Sequence, residues 1–259
     1  MKAILCRAFC PPEDLVLGEV NRVSEVGDDE VVISVKAAGV NFPDTLIIQG
    51  KYQFKPNFPF SPGGEVSGIV KVVGKNVLHV KPGDRVYAGT GWGGFAEEVV
   101  APGSNTFILP EEVSFKTGAV VAEAYGTSYH GLVDRAEIKN GETLLVLGAS
   151  GGVGIAAVQI GKALGAKVIA AASTDEKLEF CSNNGADLTI NYSKEDLKTR
   201  VKELTGGKGV DIIYDPVGDP FTEPALRAIA WNGRHLIVGF AAGDIPKIPM
   251  NLPLLKGCS

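Results

Sequence analysis

The sequence predicts an α/β protein in two parts, a β-rich lobe followed by a doubly wound parallel sheet. Three observations carry that expectation. From about residue 143 onward, strand-length apolar runs alternate with helical patterns. Before about residue 120 the chain is rich in Val, Gly and Pro and shows short β patterns instead. Residues 141–162, GETLLVLGASGGVGIAAVQIGK, read as a buried strand, a glycine turn and a helix.

In that stretch the strand is the apolar run 144–147. The turn holds Gly148, Ser150, Gly151, Gly152 and Gly154. The helix places Val153, Ala156, Ala157, Ile160 and Leu164 on one stripe, spaced i, i+3, i+4, i+7, i+11. Glycines let the backbone come close to a charged group and turn tightly. The helix start then offers free N–H groups and a positive dipole end to a pyrophosphate. This is the dinucleotide-binding beginning of a Rossmann fold. The next strand, 167–172, falls at βαβ spacing, and further strands are expected at 187–190, 210–214 and 234–238. Helices are expected near 152–164, 174–184, 194–204 and 221–230.

The earlier β patterns lie at 31–35, 66–73, 85–88 and 96–100, separated by turn signals such as Lys81-Pro82-Gly83-Asp84. The expected domains are therefore 1–122 and 123–259, joined near 119–133, which itself reads as helix. The 259 residues are 45% apolar, enough for well-formed cores in either part. The net charge of −5 comes without a basic run, which argues against nucleic acid or an anionic membrane as partner. Four cysteines form no CxxC pair, and with three histidines no zinc-ligand spacing arises. His130 and His235 lack partners at metal spacing and read as structural. A reducing, cytoplasmic location fits this cysteine usage. The start, MKAILCRAFCPPEDL, lacks the apolar core of a signal peptide, and no run approaches membrane-spanning length.

The stretch around the glycine turn resembles the signature of the quinone oxidoreductase (ζ-crystallin)-like branch of the medium-chain dehydrogenase/reductase superfamily. Gly141-Glu142, Leu145, Ala149-Ser150-Gly151-Gly152, Gly154, Gln159 and Lys162 carry the likeness. The first lobe resembles the GroES-like catalytic domain of the same superfamily. There the carriers are 38–44 (AGVNFPD), Pro62-Gly63-Gly64-Glu65, Val72-Val73-Gly74 and 81–86 (KPGDRV). Two departures stand out. Zinc-dependent relatives place a His immediately before the Glu of a Gly-His-Glu motif; here that place holds Gly64, and the cysteine-rich zinc loop is absent. No bound metal is expected, and without one there is no Lewis acid to polarise a carbonyl. The chain also stops at Ser259, whereas family members continue for several dozen residues that supply a further sheet strand and return to the catalytic lobe. A shortened chain with an exposed sheet edge is the expectation.

The resemblance implies a zinc-free oxidoreductase that moves hydride from NADPH to a quinone or an α,β-unsaturated carbonyl, as a homodimer when full length. NAD enzymes commonly place an acid about 20 residues past the glycines, at the end of the second strand. Here Asp175 and Glu176 come late, after Ser173-Thr174, and Ser173 with Glu176 reads as a capping box. Lys177 in a first helical turn opposes the helix dipole. A 2′-phosphate would justify it, and relatives that use NADPH hold that phosphate with Lys and Tyr residues matching Lys177 and Tyr192.

Asn41 is either the N-cap of a helix beginning at Pro43 or, by resemblance, a neighbour of nicotinamide and substrate. Asp44 either favours that helix start or joins the chemistry. Tyr52 matches the proton donor of related enoyl-thioester reductases, and Thr127 a residue that contacts the carboxamide. Asp215-Pro216-Val217-Gly218 and Gly239-Phe240-Ala241 follow Rossmann strands, so Val217, Phe240 and Ala241 are expected beside the cofactor. Phe42, Phe54, Phe58, Phe60, Trp92 and Phe240 could wall a flat apolar substrate. A nucleotide-binding protein with little turnover, or an inactive fragment, are the alternatives.

Overall fold

Alternating apolar residues over the first third of the chain fold into antiparallel strands. In the computed structural model, which describes Met1–Ser259, β1 (Lys2–Leu5) pairs with β2 (Val16–Glu19). β3 (Glu30–Ala38), β4 (Glu65–Val73), β5 (Arg85–Gly89), β6 (Glu98–Pro102) and β7 (Thr106–Ile108) form a second sheet in the order β6-β3-β4-β5-β7. Val31, Ile33, Val66, Val70, Val86 and Val99 fill its core. Gly68 permits the closest approach in this sheet: a Cβ there would lie 2.1 Å from the Ser34 carbonyl oxygen. Two short helices, α1 (Phe42–Ile47) and α2 (Phe115–Gly118), complete the unit, which runs from Met1 to Glu123.

The second unit, Ala124–Ser259, has its own core. Helical turns fill the stretch read as a joining helix: π turns at Val121–Tyr125, α3 (Gly126–Tyr129), then π turns at His130–Arg135. Next come β8 (Thr143–Leu147), α4 (Gly152–Ala163), β9 (Lys167–Ala172), α5 (Asp175–Asn183) and β10 (Leu188–Asn191). α6 (Leu197–Leu204), β11 (Val210–Asp215), α7 (Thr222–Arg227), β12 (Ile229–Ile237) and α8 (Asn251–Lys256) close the chain. All sheet pairs are parallel, in the order β10-β9-β8-β11-β12. The order reverses direction at β8, so the carboxyl ends of β8 and its neighbours bound the crevice where such sheets bind ligands.

A strand points successive side chains to opposite faces. The single apolar run of β8 therefore feeds two cores. Leu145 and Leu147 pack with Ile169, Ala171 and Ile213, while Leu144 and Val146 pack with Val168, Ala170, Ile212 and Tyr214. The stretch expected as one helix over 221–230 is divided: α7 ends at Arg227 and β12 begins at Ile229. Ile229 pairs with Val210, and an irregularity follows before Arg234–Ile237 pair with Ile212–Asp215. Asn232 takes φ 59° there, a local break that lets an apolar segment with helical spacing join the sheet edge.

The turn after β8 is closely packed against its own backbone. Gly148 has φ 55°, and a Cβ on Gly154 would lie 2.4 Å from the Gly148 carbonyl oxygen and 2.9 Å from Ala149 Cα. Both obstacles are backbone and cannot swing away. Gly154→Ala should thus destabilise this unit by about 1–3 kcal/mol or more, as overpacking does, measured by the denaturant midpoint. An unchanged midpoint would mean that the turn has room to spare.

Candidate active site

α4 begins without a side-chain cap. Its N-cap residue is Gly151, which offers no acceptor, and the first turn holds no acid. By contrast, Thr174 caps α5 and Asp196 caps α6. The first N–H groups of a helix have no intrahelical acceptor. Those of α4, at Gly152, Val153 and Gly154, therefore face the turn with the positive end of the helix dipole behind them. A Cβ on Gly152 would meet nothing within 4 Å, and one on Gly151 only the Gly148 carbonyl oxygen at 3.3 Å. The glycines thus have different duties. Gly154 makes room for the protein's own backbone, whereas Gly152 leaves space open beside a group of donors. Ser150 lies half-buried in the same turn. This arrangement can hold an anion.

A second anion-favouring cluster lies at the ends of β9 and β10. Thr174, not Ser173, is the N-cap of α5: its backbone is extended and its hydroxyl accepts from Lys177 N at 3.3 Å. Ser173 is thereby freed from capping. Its hydroxyl accepts from Lys177 Nζ at 3.1 Å and is near enough to the Tyr192 phenol to influence its proton. Burial raises the Tyr192 phenol above its ordinary range, and the neighbouring Ser173 draws it partly back. The adjacent acid, Asp175, is engaged elsewhere, by Lys194 Nζ at 2.5 Å and Asn191 Nδ2 at 2.6 Å. Those two bonds hold its carboxyl below the usual range. Ammonium, hydroxyl and phenol thus converge with no free carboxylate among them.

Beyond β11, the buried Asp215 carboxylate accepts from Val217 N and Gly218 N, each at 2.9 Å, and from Thr222 Oγ1 at 2.6 Å; its Oδ2 lies 3.3 Å from His235 Nε2. Burial pushes the carboxyl up, but His235, Gly218, Thr222 and Val217 outweigh it and keep it low. Asp215 so shapes the loop that carries Val217, whose side chain a Cβ on Gly148 would strike at 2.8 Å. The loop after β12 is tied to it through Ala241 N to Pro216 O at 3.0 Å and Ala242 N to Val217 O at 2.9 Å. Val217, Phe240 and Ala241 thus share the carboxyl edge of this sheet with the glycine turn. Thr127 is exposed on α3.

In the first unit, Asn41, Asp44, Glu65 and Glu123 converge. Asn41 precedes α1 in extended conformation, and its N–H donates to Asp44 Oδ2 at 2.8 Å, so it is an N-cap as its position suggests. Its side-chain amide does something else. The two N–H bonds of Nδ2 go to Glu65 Oε1 at 2.8 Å and Glu123 Oε2 at 3.1 Å. Asp44, buried, also accepts from Gly63 N at 3.0 Å and Gly64 N at 3.1 Å, pinning α1 to the turn before β4. Glu65, also buried, takes Glu123 N on its other oxygen at 2.9 Å.

Three carboxyls this close cannot all ionise freely. Burial raises each of them. Asp44 is drawn back by three backbone N–H groups, and Glu65 by Asn41 and the backbone of Glu123 and Ala122. Glu123 has only the Asn41 amide, and the charges of Asp44 and Glu65 add to its burial, so its carboxyl is pushed up to about 7. Sequence reasoning misses Glu123. The available signal is a lone acid inside the apolar stretch 119–124. The three are not arranged as a metal-ligand set, and no other group of His, Cys, Asp or Glu is.

Tyr52 stands beside this cluster. Burial, then the charges of Glu123 and Asp44, raise its phenol. Its ring meets Phe54 at 5.8 Å, and Phe54 meets Trp92 at 6.5 Å. Phe54 and Trp92 are exposed, as are Phe42 and Phe58, whereas Phe60 is buried against Cys6, Ile47 and Ile48 and belongs to the core rather than to any wall. No helix is long and apolar enough to cross a membrane.

Comparison with known proteins gives these features a family. Residues 27–111 match the alcohol dehydrogenase GroES-like domain, and residues 152–259 match the zinc-binding dehydrogenase family. The quinone oxidoreductase-like protein 2 homolog of Nematostella vectensis is 42% identical over 260 residues, spanning 100% of this chain and 70% of the relative. Human quinone oxidoreductase is 38% identical over 92% of this chain and 73% of its own length. Escherichia coli quinone oxidoreductase, solved in complex with NADPH, superposes with a TM-score of 0.91 at 34% identity, covering 100% of this chain and 79% of that one. A β-rich GroES-like unit, a Rossmann unit and relatives of this identity along the whole chain place it in the medium-chain dehydrogenase/reductase superfamily, among the quinone oxidoreductase-like oxidoreductases.

Proposed function

We propose that this chain is an NADPH-dependent reductase of quinones or α,β-unsaturated carbonyls that works without a metal ion. The observation that carries the cofactor assignment is the Ser173–Lys177–Tyr192 cluster. A 2′-phosphate is a dianion with several acceptor oxygens, and three donors with no competing carboxylate suit it. NADH carries a hydroxyl there and would ask for an acid, but Asp175 is taken by Lys194 and Asn191. The uncapped start of α4 and the open space beside Gly152 suit the pyrophosphate. The NADPH-bound relative from Escherichia coli supports the same choice.

When bound, NADPH supplies hydride to the acceptor, a chemistry that belongs to the cofactor. The chain's own part is to position and to handle protons. Gly152, Val153 and Gly154 would hold the pyrophosphate, and Lys177 with Tyr192 and Ser173 the 2′-phosphate. Thr127, Val217, Phe240 and Ala241 would line the nicotinamide end. Tyr52, Phe54 and Trp92 give a flat apolar acceptor an aromatic surface, and Asn41 and Asp44 fix the backbone beneath it. For an enone, the Tyr52 hydroxyl would supply the proton at the α-carbon; a quinone needs none on carbon.

Lys177→Ala removes the one cation of the phosphate cluster. Charge-assisted hydrogen bonds are worth about 1.5–3 kcal/mol, so NADPH affinity should fall about 10- to 100-fold while NADH affinity changes little. Fluorescence titration with both cofactors measures this, and equal losses would sink the assignment.

Gly152→Ala puts a methyl group into the open space and leaves the fold unstrained. Thermal stability should hold while NADPH binding weakens several-fold, the reverse of Gly154→Ala. Full affinity in the Gly152 variant would place the pyrophosphate elsewhere.

Tyr52→Phe keeps the ring against Phe54 and loses only the hydroxyl. Enone turnover should fall by about 10²–10⁴, the range of one general acid, with quinone turnover nearly unchanged. Equal losses would make Tyr52 a positioning residue, and no loss would leave solvent as the proton source.

A further inference from the structure

Both acceptor classes share one requirement that Tyr52 does not meet. Hydride addition to a quinone or an enone leaves negative charge on what was the carbonyl oxygen. Zinc-dependent relatives answer it with a metal held in part by the His that precedes Glu65's counterpart; here that position is Gly64. A Cβ on Gly64 would meet Glu123 Oε2 at 3.1 Å, Gly91 O at 3.7 Å and Asp44 Oδ1 at 4.0 Å. The space beside Gly64 is thus occupied by the Glu123 carboxyl. Glu123 Oε2 is fixed by Asn41 Nδ2, and Glu123 Oε1 makes no hydrogen bond within the chain, although the side chain is half-buried. A carboxyl anchored by one oxygen, with the other free, can present an O–H outward.

We infer that Glu123 is the acid that hydrogen-bonds and then protonates the carbonyl oxygen of the acceptor, in quinones and enones alike. The inference rests on reading the chain as a reductase of those compounds. The balance is simple. The acceptor gains two electrons and one proton's worth of hydrogen from NADPH. The Glu123 O–H bond breaks, a new O–H bond forms on the acceptor, and the electron pair stays on the carboxylate. A quinone is then complete and Glu123 regains its proton from water. An enone is left as an enol, which takes a proton at the α-carbon while its O–H proton returns to the Glu123 carboxylate, so that one hydride and one proton are added in all. Tyr52 is poorly suited to this step, because burial and the neighbouring acids make its phenol hold its proton more tightly.

The groups facing Glu123 are Asp44 from α1, Glu65 from β4 and Tyr52 from the segment after α1; the neutral Asn41 is its hydrogen-bond donor. Burial and the charges of Asp44 and Glu65 favour the proton on Glu123, and the Asn41 amide opposes them. That carboxyl is pushed up to about 7, so the acid form is present below neutrality and is lost as pH rises through about 7.

The test compares wild type with Glu123→Gln, which keeps the shape and the acceptor for Asn41. With a naphthoquinone and, separately, a linear enone, wild-type kcat should fall as pH rises through about 7. The Gln variant should be slower by about 10²-fold below neutrality, the lower end for one general acid, and show no inflection near neutral pH. NADPH affinity should match wild type. A second readout needs no cofactor. A carboxyl whose pKa is raised by folding contributes stability that is full below its unfolded value and gone above its folded one. Wild type should therefore lose melting temperature relative to Glu123→Gln as pH rises toward and through about 7. A wild type that turns over while the Gln variant keeps its rate, or keeps the inflection, overturns this inference and leaves the reductase reading standing. A parallel pH dependence of melting in the two proteins overturns it as well. A wild type that binds NADPH but reduces neither acceptor overturns both.

Discussion

Burying β8 on both faces constrains the second unit more than any other feature. A strand covered from both sides must be apolar throughout, and Leu144–Leu147 are fully buried. Its polar backbone can then be satisfied only by β9 and β11 on either side. With the strand fixed, the chain leaves it at one defined edge. The glycine turn, the Asp215 loop and the end of β9 all lie at that carboxyl edge, where the Asp215 carboxylate is already taken by its own loop and the first N–H groups of α4 have no intrahelical acceptor. Asp215 holds its loop by four partners, a rigid support for Val217 and the neighbouring 239–242 segment. The anion-binding character is therefore a property of backbone and topology. In the function proposed for the chain, Lys177 and Tyr192 would specify which anion.

The first unit works in the opposite electrical sense. Its sheet positions four residues from α1, β4 and the π turns so that one amide serves two carboxylates. Asn41 spends both hydrogens of Nδ2 on Glu65 and Glu123, and its backbone N–H on Asp44. An Asp in its place would add a fourth acid and remove the donors. The unequal supply of N–H groups decides which carboxyl keeps a proton. Asp44 has three, Glu65 has several, and Glu123 has the single amide. The π geometry of Val121–Tyr125 brings Glu123 and its N–H to Glu65, and departures of this kind from the α-helix recur at functional positions.

Much of this was legible in the residues. The buried run of β8, the glycine turn and the alternation after it follow from local spacing, because a period of two or of 3.6 is set by the chain itself. Asn41 was visible as an N-cap, and its position before α1 agrees; its side chain does separate work, on Glu65 and Glu123. What depends on distant parts of the chain was not legible. Ser173 and Thr174 are equal capping candidates by composition; only the extended backbone of Thr174 decides between them, and so decides that Ser173 faces Lys177. The helical spacing through Ile229 gives way to β pairing with Val210, a partner almost twenty residues earlier. Phe60 looks like Phe54 in sequence, but only Phe60 meets a pocket of core residues. Glu123 is one acid among thirty Asp and Glu residues until Asp44 and Glu65 stand beside it.

If the chain is the reductase proposed above, the electrical character of each unit narrows its reactants. A protein of net charge −5 repels anions at long range, so an anionic cofactor needs local donors strong enough to overcome that field, and the second unit supplies them with helix N–H groups and Lys177. In the first unit the charges that act on Tyr52 are those of acids. Glu123 and Asp44 act on its phenol, and a negatively charged group on the acceptor molecule would meet this acidic cluster at close range with little screening. A neutral, flat carbonyl compound meets none of that repulsion and gains the aromatic surface of Phe54 and Trp92. As it accepts hydride its oxygen becomes negative in the same acidic surroundings. That charge is tolerable only if a proton arrives with it, so a protonated carboxyl at this place resolves the conflict that its own neighbours create.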